Sequence, residues 1–314
     1  MTLNPARSVV AIDKSALNLS DRWLDLALIS GGWGSSFLFV KLISPSVPPF
    51  AFAAERGLIA MTALLVWLLV RPSPQLAGGG TPPFPRWKDL GPMIVLGTTN
   101  GWLANVLTAI AVRHIDSAVV AMTQATVPLM VVVLAHFLFN DEKFRVSQFA
   151  GILIGLFGIF LIIGPLAISP GQGSLIGIGA MLLTALSYAC GTVYGRRVAA
   201  RDFTVLACGQ QACGALVAIA ISVLTESPTI ENQPVSIWLL LVIVGVFCSA
   251  MPTALYLRLL AQTASISAAL VAYLQPVWAT LLGWVVLREQ ICIAALFGTG
   301  LVFVSIFVVN RQAR

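Results

Sequence analysis

Ser117-Ala-Val-Val-Ala-Met-Thr-Gln-Ala-Thr-Val-Pro128 and Ser265-Ile-Ser-Ala-Ala-Leu-Val-Ala-Tyr-Leu-Gln-Pro276 decide how this chain is read. Each sets a serine eleven residues before a proline in an apolar run. Glu142 follows the first proline by fourteen residues and Glu289 the second by thirteen; Gly151 and Gly298 each lie nine residues beyond that acid. The pattern occurs twice in 314 residues, which marks an internal repeat. Upstream, Trp33-GSSFLFV-Lys41 pairs with Tyr188-ACGTVYG-Arg196 at an offset of 155, which also sets Glu55 and Arg56 opposite Gln210 and Gln211.

The material between these markers is membrane material. The chain is 58% hydrophobic and 10% charged, with mean hydropathy +0.94, whereas soluble domains carry about 25% charged residues. Its apolar runs match the ~20 residues a helix needs to cross about 30 Å of hydrocarbon. Helices satisfy every backbone group within such a segment. Ten spans are expected, near 24–43, 49–70, 90–111, 117–139, 147–164, 174–194, 203–224, 236–257, 265–287 and 291–309, separated by charged or Pro/Gly-rich breaks.

Charge placement orients them. With the amino terminus in the cytoplasm, fourteen of the eighteen Lys and Arg residues fall in cytoplasmic segments. Lys41, Arg113 and Arg288 fall on the other side, and Arg56 lies inside a span. This is the positive-inside distribution, and it places both termini in the cytoplasm, with short loops suited to a bacterial inner membrane. The net charge of +6 is scattered over loops rather than gathered into a stripe, so no nucleic-acid partner is expected. The first apolar patch, residues 9–12, is too short for a signal peptide. Five cysteines without C-x-x-C spacing and two histidines imply buried thiols, and neither metal nor cofactor.

The expected fold is all-α and integral to the membrane: ten transmembrane helices as two five-helix repeats. Five is odd, so the second repeat enters from the opposite side and the two are inverted. The division expected is a cytoplasmic tail over 1–22 and repeats over 23–164 and 174–310. Inverted repeats support alternating access at a site near the midplane.

The doubled unit, Trp33-Gly34-Ser35, Arg56, and Tyr273-Leu-Gln-Pro276-Val-Trp-Ala279 leading to Glu289 resemble the drug/metabolite transporter superfamily, in particular its EamA-type branch. The resemblance implies a secondary transporter of amino acids, other metabolites or drugs, often an exporter, with uptake or exchange as the alternative. It also implies a cavity lined by the first four helices of each half. Where many relatives carry an acid just before the second proline, this chain has Gln275, which puts an electrostatic role there in doubt.

Arg56 and Glu55 are the ionisable pair deep within a span, where charge is expensive and faces a cavity or a partner. The functional reading gives Arg56 an anionic substrate group and Glu55 a proton or the substrate's ammonium; a structural ion pair is the alternative. Trp33, Trp102, Gln124, Gln211, Tyr273 and Gln275 are further substrate candidates, with interhelical hydrogen bonding as the bland account of the polar ones. Pro128 and Pro276 read as helix hinges or static kinks. Gly151, Gly155 and Gly158 read as a packing stripe, within the protomer or in a homodimer. The partners expected are thus a small solute, a coupling proton or counter-solute, and the lipid bilayer. Enzyme and channel readings fail for want of a nucleophile–base pair, a carboxylate cluster or a filter-like loop.

Overall fold

A computed structural model describes residues 19–70, 86–115, 117–140, 146–167, 175–198, 201–226, 233–287 and 293–311. Most of the 1–22 tail lies outside the described residues, as do Asp141, Glu142, Glu289, Cys292 and positions 168–173 of the break between repeats.

Twelve helices build ten spans among the described residues. The first half holds α1 (Leu19–Ile43), α2 (Pro49–Val70), α3 (Trp87–His114), a fourth span broken into α4 (Ser117–Gln124) and α5 (Val127–Leu138), and α6 (Val146–Ala167). The second half holds α7 (Leu175–Arg197), α8 (Phe203–Thr225), α9 (Val235–Gln262), a broken span of α10 (Ser265–Ala269) and α11 (Val271–Leu287), and α12 (Ile293–Arg311). Six of these are long and apolar enough to cross a bilayer unaided by any break. Large apolar side chains such as Trp67, Phe137, Phe157, Leu216 and Phe307 face outward, as lipid requires and water would not tolerate in such number.

The halves repeat in structure as well as in sequence. α3 and α9 are each 28 residues long, and each carries a wide π turn, at Gly97–Trp102 and Val246–Ala250. Contacts follow the same rule: α2 packs on α8 and α6 on α12, while α3 on α7 matches α9 on α1. The fold is therefore two inverted five-helix repeats meeting face to face. α9 continues to Gln262 rather than ending near 257. Arg258, expected in a loop, sits in its last turns because Asp25 of α1 receives its guanidinium at 2.6 and 2.7 Å.

Prolines shape the interior in different ways. Pro128 stands in the first turn of α5, where a missing N–H leaves no bond broken. Pro276 lies inside α11 and Pro252 just after the second π turn. A helical proline strips the carbonyl four residues earlier of its donor; for Pro252 that carbonyl belongs to Cys248.

The glycine stripe of α6 serves packing within the protomer. A Cβ on Gly151 would stand 2.7 Å from Val309, and one on Gly158 would stand 2.7 Å from the Gly298 carbonyl, both on α12.

The two halves are also tied at the end of α8. Glu226 accepts from the first backbone N–H groups of α2, Phe50 at 3.0 Å and Ala51 at 2.8 Å, and from the Ser222 hydroxyl at 3.0 Å. A carboxylate there satisfies orphan donors and complements the helix dipole. Glu226→Ala is expected to lower stability by about 1–2 kcal/mol, read as a lower unfolding midpoint in detergent. An unchanged midpoint would remove this contact from the fold's energetics.

Candidate functional site

A cavity opens between the halves, with about 880 Å³ of space free of protein atoms including the part open to solvent. Among the described residues its lining comes from α1 to α5 and from α7 to α11, with none from α6 or α12. Arg56 is the one charged residue of the lining among the described residues.

Arg56 is 6% exposed. Its Nε donates to Ser249 Oγ at 2.5 Å and an NH2 group donates to the Cys248 carbonyl at 2.8 Å. Phe52 lies beneath the guanidinium, 5.9 Å from ring centre to Cζ. Pro252 explains the arrangement: it leaves the Cys248 carbonyl without a helical donor, and arginine of the other half takes the place. Among the described residues no carboxylate lies within ion-pairing distance of Arg56. A guanidinium held in low dielectric by neutral acceptors alone retains a strong attraction for an anion.

Around it stand neutral polar groups. Gln124, Gln210, Gln211 and Gln275 all line the cavity and are buried. Gln211 donates to Thr253 Oγ1 at 3.2 Å. The amide oxygens of Asn100, Gln124 and Gln210 are buried without a hydrogen-bond donor among the described residues. Such acceptors are costly when unpaired, and a bound solute carrying N–H or O–H groups would satisfy them. The Asn100 amide occupies the place a Cβ on Gly191 would take, so a glycine on α7 is what admits it. An aromatic wall completes the site: Trp33 meets Tyr256 edge to face at 5.0 Å, and the Tyr256 hydroxyl shares a 2.8 Å hydrogen bond with Thr192.

Of the residues singled out in the sequence, Arg56, Trp33, Gln124, Gln211 and Gln275 come together at this cavity. Glu55, Trp102 and Tyr273 do not line it. Glu55 is 7% exposed, its Oε2 without a partner among the described residues, one helical position away from Arg56 and so about 100° around α2. Trp102 stacks on Phe50 at 6.4 Å beside a small cluster of Ala53, Ala54, Val106 and Ala218. Tyr273 is fully buried and donates its hydroxyl to the Ile152 carbonyl of α6 at 2.9 Å. Thr108, Thr192, Ser249, Thr253 and Tyr256 also line the cavity and escaped the sequence reading. For Ser249 a signal existed in Pro252, three residues on, which marks a carbonyl needing an outside donor.

The model of the EamA-like transporter family matches residues 22–164 and again 175–311. The chain belongs to the EamA-like transporter family. Its two matches lie one on each five-helix half, so this EamA protein is a transporter and a multi-pass membrane protein. Among its relatives, a chloroplastic WAT1-related protein of Arabidopsis thaliana is 28% identical, over 88% of this chain and 66% of its own length. The uncharacterized transporter YoaV of Bacillus subtilis is 24% identical, over 88% of this chain and 92% of its own. The uncharacterized inner membrane transporter YedA of Escherichia coli is 28% identical, over 80% and 78%. A solved crystal structure superposes with TM-score 0.75, covering 95% of this chain and 99% of that one at 21% identity. That likeness speaks to the fold alone.

Proposed function

We propose that this EamA-family protein is a secondary active transporter that exports small organic solutes from a bacterial cell by alternating access. One observation carries the reading: a buried arginine without a carboxylate partner among the described residues, in a cavity that both inverted halves line. Arg56 binds an acidic group of the solute. The amide oxygens of Asn100, Gln124 and Gln210 accept from its ammonium, hydroxyl or amide donors, and Trp33 with Tyr256 packs its apolar part. Gln211 and Gln275 complete the polar lining.

Residues 23–164 and 174–310 rock against each other, with Pro128 and Pro276 as bending points and the 1–22 tail and both termini in the cytoplasm. Glu55 serves coupling rather than solute contact, accepting a proton away from the cavity lining.

The test starts from purified protein screened by thermal shift against amino acids, nucleosides, sugars and cationic drugs. A ligand of the folded state at a hundred times its Kd stabilises by about 2.7 kcal/mol. Solutes bearing a carboxylate are expected to raise the midpoint, and the strongest of them should show accelerated exchange from the trans side in proteoliposomes. A stabilising solute that crosses with no trans-acceleration would identify a channel and sink the carrier reading. Accumulation into right-side-out vesicles rather than inverted ones would replace export by uptake.

A further inference from the structure

Among the described residues the ion pairs Asp25–Arg258 and Asp89–Arg201 join the halves, and both lie at the same membrane face. Asp25, at the start of α1, holds Arg258, in the last turns of α9, at 2.6 and 2.7 Å; its side chain is 6% exposed. Asp89, in the first turn of α3, holds Arg201, just before α8, at 2.9 Å. Odd-numbered spans begin, and even-numbered spans end, on one side of the membrane, and all four residues sit at those ends. A third contact belongs to the same face: Phe139, just after α5, lies under Arg196 at 4.6 Å and Arg197 at 5.9 Å, from the end of α7. In every case the cation comes from the second half and its acceptor from the first.

The inverted repeat supplies an internal control. Offsets of 155 for the first two spans of each half, and 148 for the next two, map each ion-pair residue to its counterpart at the opposite face. Those counterparts are Ala180 for Asp25, Ile110 for Arg258, Ile237 for Asp89 and Ser46 for Arg201. None can ionise. At that face Glu226 bonds backbone N–H groups of α2, a helix already packed along α8, and Arg113 bonds carbonyls of its own half, Ser44 and Val47.

In an inverted-repeat protein the two access states exchange the packing of the two halves, so identical halves would make the states equal in energy. Ion pairs whose mirror positions in the other half cannot ionise break that balance. We infer that Asp25–Arg258 and Asp89–Arg201 form a latch that holds this face closed, and that they separate when the cavity opens toward it. The pairs set the resting population of the two access states; they take no part in solute contact. Under the proposed topology the latched face is cytoplasmic, and the empty carrier waits open to the outside.

The inference rests on the alternating-access reading and is tested without solute. Ala269→Cys, at the end of α10, puts a reporter thiol on the cavity lining, in a background with the native cysteines replaced. A membrane-impermeant maleimide is applied in vesicles of each sidedness. Asp25→Asn or Asp89→Asn is expected to raise labelling from the latched face about threefold, and both together about tenfold. The exchange Asp25→Arg with Arg258→Asp should return labelling toward the parent rate. If that exchange fails to assemble, the more exposed pair, Asp89→Arg with Arg201→Asp, makes the same comparison. Parent-rate labelling of the double variant, an equal rise from both faces, or a swap that labels like the single variants would each overturn the latch. Latch behaviour without solute exchange would overturn the transport reading alone, and exchange with unaltered labelling would overturn the latch alone.

Discussion

Arg56→Ala is expected to abolish solute flux while the protein still inserts and folds. Truncating one member of a desolvated, hydrogen-bonded charge pair costs about 2–5 kcal/mol of binding, a loss of thirtyfold to several thousandfold for the bound solute. The fold suffers less, since Arg56 has no acidic partner among the described residues whose charge would be stranded. Ser249, whose hydroxyl is one of its two acceptors, lines the cavity, where water can take the place of the guanidinium. Arg56→Lys keeps the charge but not the planar fork that reaches both acceptors, so partial flux is expected. Efflux from proteoliposomes, at protein levels matched by size-exclusion chromatography, reads both variants. Wild-type flux from the alanine variant would take Arg56 out of the mechanism.

Gly155→Val is expected to be the most damaging single change in the α6–α12 contact. Even the first added carbon would collide with the Tyr273 ring and come within 2.6 Å of Ser305 Oγ. Tyr273 cannot yield, being fully buried and anchored to the Ile152 carbonyl. Overpacking of this kind costs about 1–3 kcal/mol, and valine's branches add to it. Gly300, on α12, meets nothing within 4 Å at the same point, so Gly300→Ala should be neutral or slightly stabilising, by up to about 1 kcal/mol. Unfolding midpoints in detergent compare the two. Equal midpoints would show that the close approach at Gly155 carries no energy.

The doubled Ser-to-Pro unit made the repeat legible because each copy opens a span that is broken into two helices. Span ends were less legible. Arg258 carries a charge and so reads as a loop residue, but its partner Asp25 lies more than two hundred positions away and neutralises it within the helix. Arg56 was visible as a candidate because charge inside a span is rare. Tyr273 and Trp102 looked equivalent to Trp33 in type and depth, yet helix rotation turned one toward α6 and the other toward Phe50. Rotation about a helix axis is not encoded in a nearly uniform apolar run, because its hydrophobic periodicity is weak. Thr192, Ser249 and Thr253 were hidden for the same reason.

By itself the sequence determined that ten apolar helices cross a bilayer as two related halves of five, since run length and odd parity leave no other arrangement of a repeated unit. Only the tertiary structure decided which polar groups share the cavity and which charges pair across the halves. Lipid exposure constrains helix length strongly and helix rotation weakly, so rotation is settled by contacts such as Arg56 with the carbonyl that Pro252 leaves free.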